Sequence, residues 1–217
     1  MTMTALDTED RTMLNTGLDP SNLKALIGAL SATMSAHADE LTALDAAIGD
    51  GDHGYNMKRG FEALVAEADA LSAKPLGEAL KAGGMKLVMT VGGASGPLFG
   101  TLLMTLGKEM PAVPDRAGFA LAFRKAVDAV AARGKSEIGQ KTMLDVLYPL
   151  ADALDAGQPM TTIADVARSA ADGTVALVAS RGRASFLGER SAGHMDPGSR
   201  SMVLITETIV DFLEKNA

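Results

Sequence analysis

The sequence contains no cysteine and no tryptophan, and aromatic residues make up only 4% of its 217 residues. Without cysteine, the chain can form neither disulfides nor thiolate metal sites. Strands favour β-branched and aromatic side chains, which are thin along most of this chain, whereas alanine, leucine and methionine are plentiful. The composition therefore favours helices, whose packing tolerates small and unbranched side chains.

An excess of positive charge and a long apolar run are also missing. The net charge of −7 does not indicate the excess of basic residues that binding to nucleic acid or to an anionic membrane generally requires. No stretch approaches the roughly 18 consecutive apolar residues that suggest a transmembrane helix. The first residues, MTMTALDTEDRTMLNTG, lack the basic and apolar parts of a secretory signal. We therefore expect a cytoplasmic protein that binds neither nucleic acid directly nor a membrane.

Apolar residues recur at helical spacing from about residue 20 to the C-terminus, as in the set Leu23, Ile27 and Leu30. The same spacing predicts one helix over residues 57–71 and another over residues 162–180. The last segment, SMVLITETIVDFL, has the composition of a strand, but its helical neighbours favour a helix. Helices joined by short loops pack as antiparallel neighbours. The sequence therefore predicts an all-α fold, a closed barrel or bundle of about eight antiparallel helices. Residues 19–217 would form one domain, and residues 1–18 an N-terminal extension that could be flexible.

The stretch AAIGDGDHGYNM, residues 46–57, partly matches two known motifs. Its three glycines spell G-x-G-x-x-G, but a dinucleotide site needs a preceding strand, and a helix is predicted here. As a calcium loop it would need glycine at Tyr55 and glutamate at Phe61. What remains is three carboxylates, Asp45, Asp50 and Asp52, which repel one another unless cations compensate. Magnesium binds such oxygens together with substrate phosphates; the alternative is a solvated acidic turn.

Two later stretches could bind an anion. In GGASGP, residues 92–97, backbone N–H groups and a following helix N-terminus could hold phosphate, although a plain tight turn has the same composition. Residues 181–198, RGRASFLGERSAGHMDPG, carry three arginines within ten residues, and arginine fits phosphate with its bidentate fork. The alternative is a mobile surface loop, but its length favours a function.

Four strings, LDAAIGDGDHGYNM, GGASGPLFGT, RGKSEIGQKTM and GRASFLGERSAGHMDPGSRS, occur in this order. Together they resemble the nucleotide-binding L subunits of dihydroxyacetone kinases, from about residue 20 to the end. The resemblance implies an eight-helix barrel with the nucleotide in loops at one end, and two Mg²⁺ ions on Asp45, Asp50 and Asp52. Tyr55 and Met195 depart from the family pattern. The nucleotide contacts implied by the motifs are His53, Gly54, Tyr55, Asn56, Ala94, Ser95, Gly134 and Met143 (the last two at the base), with Arg183, Asp196, Pro197 and Gly198 closing over it.

The resemblance also implies a phosphotransferase that uses ADP/ATP and Mg²⁺. ADP held by this chain would be recharged by a phosphohistidine carrier, the M subunit of a phosphoenolpyruvate-dependent system. The γ-phosphoryl group would then pass to dihydroxyacetone on a K subunit, with Arg183 as the catalytic candidate. The free-standing length favours this version over an ATP-dependent two-chain ketose kinase. A nucleotide-loaded module that contacts a transcription regulator is a further alternative, and a homodimer is expected.

Overall fold

The computed structural model describes residues 20–216, and the predicted extension over residues 1–18 lies outside them. The described residues form helices and contain no strand, so the predicted all-α fold is confirmed. The C-terminal segment is a helix, as predicted. Ten α-helices are present in this part of the chain. They are α1 Pro20–Ala36, α2 Ala38–Ile48, α3 His53–Ala66, α4 Ala68–Ser72, α5 Leu76–Thr90, α6 Ser95–Glu109, α7 Arg116–Gly134, α8 Leu144–Asp155, α9 Met160–Gly173 and α10 Pro197–Lys215.

Two boundaries differ from the sequence prediction. The stretch predicted as one helix over residues 57–71 is divided at Glu67, whose N–H reaches back only three residues to the carbonyl of Leu64 and tightens the last turn of α3. The helix predicted over residues 162–180 ends at Gly173. There the hydroxyl of Thr174 donates to the carbonyl of Ala171, and a short 3₁₀ turn follows at Thr174–Ala176. Side chains that bond to nearby backbone in this way compete with helix continuation.

Eight of the helices contact one another in a closed cycle, in the order α1, α3, α5, α6, α7, α8, α9, α10 and back to α1. Helix α2 packs outside this cycle against α3 and α10, and α4 packs against α1 and α5. Apolar side chains from all eight members fill the interior, among them Leu23, Leu64, Leu87, Phe99, Val127, Leu147, Ile163 and Val203. No helix within residues 20–216 is both long and apolar enough to cross a bilayer.

Helices α5 and α6 approach each other through glycines. A Cβ atom added to Gly84 would lie 2.8 Å from the carbonyl oxygen of Gly100, and one added to Gly100 would lie 2.8 Å from the carbonyl oxygen of Gly84. Gly77 faces Gly107 in the same way, so contacts pair early residues of α5 with late residues of α6. This antiparallel approach fixes the loop between the two helices, and with it the N-terminus of α6.

We expect Gly84→Ala to lower the free energy of unfolding by about 1–3 kcal/mol, because the added methyl group must push two helices apart. Urea denaturation with the slope held common measures this change. Gly28→Ala in α1 is the matched control, since a Cβ there meets nothing within 4 Å. It should be neutral or should stabilise by up to about 1 kcal/mol, as alanine does relative to glycine in a helix. Equal stability of the two variants would contradict the close packing.

Candidate functional site

A cavity of about 180 Å³ lies at one end of the helical cycle. Its lining includes the starts of four helices: His53 of α3, Ser95 of α6, Met143 before α8 and Pro197 of α10. Because neighbouring helices of the cycle run antiparallel, alternate helices begin at the same end. Helix N-termini carry partial positive charge and unpaired N–H groups, so their convergence favours an anion.

A second cavity, of about 260 Å³, lies in the core and is lined almost wholly by apolar side chains such as Leu26, Leu102 and Leu213. No charged residue is among those that line it. Phosphate chemistry requires charged partners, so we assign the candidate site to the polar cavity alone.

The three predicted metal ligands meet at the polar cavity. Asp45, Asp50 and Asp52 each offer a carboxylate oxygen, and these oxygens lie within 4.8 Å of one another. Asp45 is buried, and its Oδ2 accepts from the backbone N–H groups of Asp52 and His53, at 2.9 and 3.2 Å. Neither amide donates to the Oδ1 of Asp45. The side chains of Asp50 and Asp52 are exposed. The donor set, all carboxylate oxygen, fits Mg²⁺.

The glycines of the G-x-G-x-x-G pattern serve the turn and the packing. Gly51 has φ +73°, a left-handed conformation that other residues rarely adopt. A Cβ at Gly49 would overlap the carboxylate of Asp45, and one at Gly54 would overlap the carbonyl oxygen of Ala38 in α2. These three glycines therefore let the acidic loop fold tightly and let α3 lie against α2.

His53 joins three helices through a chain of hydrogen bonds. Its Nδ1 lies 3.0 Å from the hydroxyl oxygen of Ser95, and its Nε2 lies 2.8 Å from that of Ser201. Ser201 donates its own proton to the carbonyl of Pro197, so its oxygen accepts from Nε2–H. A neutral His53 then accepts the Ser95 proton at Nδ1. Burial lowers the pKa of His53 more than the carboxylates of Asp45 and Asp52 raise it, which favours this neutral form.

The guanidinium of Arg183 lies beside the acidic cluster, with Nη2 3.0 Å from Oδ2 of Asp50. Arg183 begins a 3₁₀ segment, Arg183–Ser191, and the start of this arginine-rich loop, residues 181–184, lines the cavity. Asp196 also lines the cavity, and it caps α10 by accepting from the N–H of Ser199 at 2.7 Å. Poor solvation raises the pKa of Asp196 to about 6.

Most of the site residues predicted from sequence line this cavity, and some do not. The three aspartates, His53, Ala94, Ser95, Met143, Arg183 and residues 196–198 are among its lining. Gly54, Tyr55, Asn56 and Gly134 are not. The Tyr55 side chain is 55% exposed and donates to Asp39, and Asn56 is buried and accepts from Arg59. The nucleotide contacts assigned to all these residues stay predictions.

The cavity lining also includes residues that no sequence pattern indicated, such as Leu98, Lys141 and Thr142. Lys141 and Thr142 lie in the string RGKSEIGQKTM, but the sequence alone does not distinguish them from an ordinary surface lysine and threonine. Ser201 and His53 are 148 positions apart, so no short stretch of the sequence indicates their contact.

Comparison with known proteins identifies the family of this chain. The family model described as DAK2 domain matches residues 47–211. The chain belongs to the DAK2 domain family. It is 40% identical over 188 residues to the Escherichia coli protein named PEP-dependent dihydroxyacetone kinase, ADP-binding subunit DhaL, covering 81% of this chain and 88% of that one.

Longer proteins match as well. The D-erythrulose kinase of Mycolicibacterium smegmatis is 36% identical over 195 residues, which are 84% of this chain and 34% of that protein. The crystal structure of the dihydroxyacetone kinase from C. freundii in complex with AMP-PNP and Mg²⁺ matches with a TM-score of 0.73 and 22% identity. That match covers 88% of this chain and 34% of the kinase, so the chain shares its fold with about a third of that enzyme.

We expect Ser201→Ala to lower the free energy of unfolding by about 1–3 kcal/mol, because it removes the buried hydroxyl that accepts from Nε2–H of His53. Urea denaturation measures the change, and ¹⁵N NMR of the imidazole should show the Nε2–H tautomer in the unmodified protein.

Ser180→Ala is the control, because Ser180 is exposed and its hydroxyl takes no part in the chain through His53. It should change stability by no more than about 0.5 kcal/mol. If His53 carries its proton on Nδ1 instead, the directions given for the hydrogen-bond chain are wrong.

Proposed function

We propose that this chain is the ADP-binding subunit of a phosphoenolpyruvate-dependent dihydroxyacetone kinase. It would relay a phosphoryl group from a phosphohistidine protein, through bound ADP/ATP, to dihydroxyacetone on a K subunit. The observation that carries the proposal is the carboxylate cluster of Asp45, Asp50 and Asp52, which shares one cavity with four helix N-termini. The similarity to the Escherichia coli ADP-binding subunit supports the same function.

The site separates two tasks, holding metal and holding phosphate. Asp45, Asp50 and Asp52 would bind two Mg²⁺ ions, while the N–H groups at the start of α6, and those of α3 that follow His53, would bind phosphate oxygens. Three carboxylates and ADP carry roughly six negative charges, and two Mg²⁺ ions offset about four of them. Bound magnesium would therefore allow the carboxylates and the phosphates of ADP, which repel each other, to share one site.

Arg183 would act on the transferring group. Its guanidinium already lies beside Asp50 at the edge of the cluster, 3.0 Å from Oδ2. Phosphoryl transfer depends mainly on positioning and on neutralising charge that spreads over the phosphoryl oxygens, which an arginine does well. We expect no general base on this chain, because the hydroxyl that is phosphorylated would be held by the K subunit.

The proposal extends to the surroundings of the chain. A phosphohistidine carrier, the M subunit, would recharge the bound ADP, and the chain would work in the cytoplasm as a homodimer. A contact with a transcription regulator would report the state of the nucleotide. Greater identity to the phosphoenolpyruvate-dependent subunit, 40%, than to the D-erythrulose kinase, 36%, supports this phosphate source.

A second candidate is the nucleotide subunit of an ATP-dependent two-chain ketose kinase. The match to the D-erythrulose kinase, which extends over 84% of this chain, favours it. Both candidates use the same cavity, so they differ in the exchange of nucleotide and in the ketose on the partner. A purely regulatory, nucleotide-loaded module would bind nucleotide without supporting turnover.

We expect Asp45→Asn to weaken ADP binding at least about tenfold, because the amide loses the charge that a metal ligand supplies. The asparagine oxygen can still accept from the N–H groups of Asp52 and His53, so the loop should keep its shape. Calorimetric titration with ADP and Mg²⁺ measures the affinity, and circular dichroism checks the fold. Asp211→Asn, at an exposed carboxylate outside the cluster, is the control and should bind normally. Undiminished ADP affinity in EDTA would defeat the metal assignment.

The phosphate source is tested by turnover with the K subunit, dihydroxyacetone and excess ATP, with the phosphohistidine carrier omitted. We expect one turnover or less for each chain, and sustained turnover once the carrier and phosphoenolpyruvate are supplied. Sustained turnover on ATP alone would instead support the ATP-dependent candidate, and erythrulose as a parallel substrate would then identify the ketose.

A further inference from the structure

Lys141 is a buried cation with an unusual set of partners. Lys141 is 1% exposed and lies in the turn before α8. Its Nζ donates to the backbone carbonyls of Thr174 at 2.6 Å, Leu177 at 3.2 Å and His194. An ammonium group has three N–H donors, so these three carbonyls use all of them.

The three carbonyls lie at the two ends of one long segment. Residues 177–194, here named the cap, leave the helical cycle after the 3₁₀ turn at 174–176 and return just before Asp196. The cap carries Arg181 and Arg183, both of which line the polar cavity. A single side chain from the α7–α8 connection therefore holds the beginning and the end of the cap together.

The turn that carries Lys141 is shaped to aim this side chain inward. Lys141 itself has φ +61° and Gly139 has φ +85°, both in the left-handed region. The buried carboxylate of Asp145, in the first turn of α8, accepts from the N–H groups of Gly139 and Thr142 and so fixes the turn. A strained backbone at a lysine persists only where its surroundings over-determine it.

Electrostatics agree with a structural task for this ammonium. Burial lowers the pKa of Lys141, and the negative charges of Asp196 and Asp145 counteract that shift. Other bonds also tie the cap, such as the N–H of Ser180 to the carbonyl of Gln140 at 3.4 Å and that of Gly193 to the carbonyl of Val175 at 2.8 Å. The first bond joins one end of the cap only. The second joins both ends, since Val175 lies just before the cap and Gly193 near its end, and Lys141 adds three charge-assisted hydrogen bonds to this closure.

We propose that Lys141 is a positioning residue that holds the cap closed over the polar cavity and thereby sets how slowly a bound nucleotide leaves. The part about release depends on the proposed nucleotide function, whereas the closed cap is a property of the free protein. Charge-assisted hydrogen bonds are stronger than neutral ones, so their loss should open this segment before the rest of the fold.

The test is Lys141→Met in the full chain, since methionine keeps an unbranched apolar stem and removes the three donors. Trypsin reports on the free protein, because the cap contains Arg181, Arg183 and Arg190. We expect cleavage in the cap to become at least about tenfold faster, with little change elsewhere in the chain. Release of Mg·ADP, followed by stopped-flow chase, should accelerate by a similar factor, with a smaller change in the association rate.

Lys86→Met is the matched control, because Lys86 pairs with Glu67 on another face and has no contact with the cap. It should leave both cap cleavage and ADP release unchanged. If Lys141→Met does not fold, Gly139→Ala replaces it: the added Cβ meets nothing within 4 Å, so the variant strains only the turn that aims Lys141. Selective loosening of the cap by either variant supports the proposal.

Two results would overturn it. The first is unchanged cap cleavage, or cleavage that rises equally along the whole chain as the protein unfolds. The second is an open cap with an unchanged rate of ADP release, which would show that the cap does not retain the nucleotide. Failure of the unmodified protein to bind Mg·ADP would refute the proposed function and the release step, while trypsin would still decide whether Lys141 closes the cap.

Discussion

The candidate site depends on how the mutual repulsion of three carboxylates is compensated. Asp45, Asp50 and Asp52 bring their oxygens within 4.8 Å of one another at the end of a protein with net charge −7. Like charges at such distances cost free energy unless nearby donors or cations compensate. Two backbone amides bond to Asp45, and the guanidinium of Arg183 pairs with Asp50. The remaining negative charge is what makes the cluster suitable for divalent metal.

The helical cycle explains why such a cluster can face phosphate at all. Antiparallel packing sends the N-termini of α3, α6, α8 and α10 to one end, where they form the polar cavity. Packing of this kind depends on close approach, as Gly84 and Gly100 show between α5 and α6. Core packing and the anion site are thus linked, because shifting α6 would displace its N-terminus at Ser95. A divalent metal held by the carboxylates and the nearby helix N-termini would both favour phosphate oxygens.

Buried polar side chains then join the separate loops into one site. His53 connects α3 to α6 and α10 through two serine hydroxyls, and Lys141 connects the α7–α8 turn to both ends of the cap. Satisfied polar networks of this kind rigidify a site, and an unpaired member would be costly. Both residues therefore hold together the elements that surround the cavity, whereas the aspartates and Arg183 present charge to whatever occupies it.

The sequence alone determined the local features of this protein. Helical periodicity gave the all-α class, and the spacing of Asp45, Asp50 and Asp52 around glycines indicated the metal cluster, because both signals arise between residues close in the chain. The division at Glu67 and the early end of the helix at Gly173 depend on single hydrogen bonds. The periodicity of apolar residues does not report such bonds.

Only the tertiary structure decided how distant residues combine. It shows that Gly54 supports helix packing, that Tyr55 turns outward to Asp39, and that His53 meets Ser201 across 148 positions. The inward direction of Lys141 likewise depends on backbone carbonyls more than thirty positions away. Such partners are backbone groups or common hydroxyls, which every sequence offers in many places. Their selection follows from how the helices close into a cycle, and that closure is a property of the whole chain.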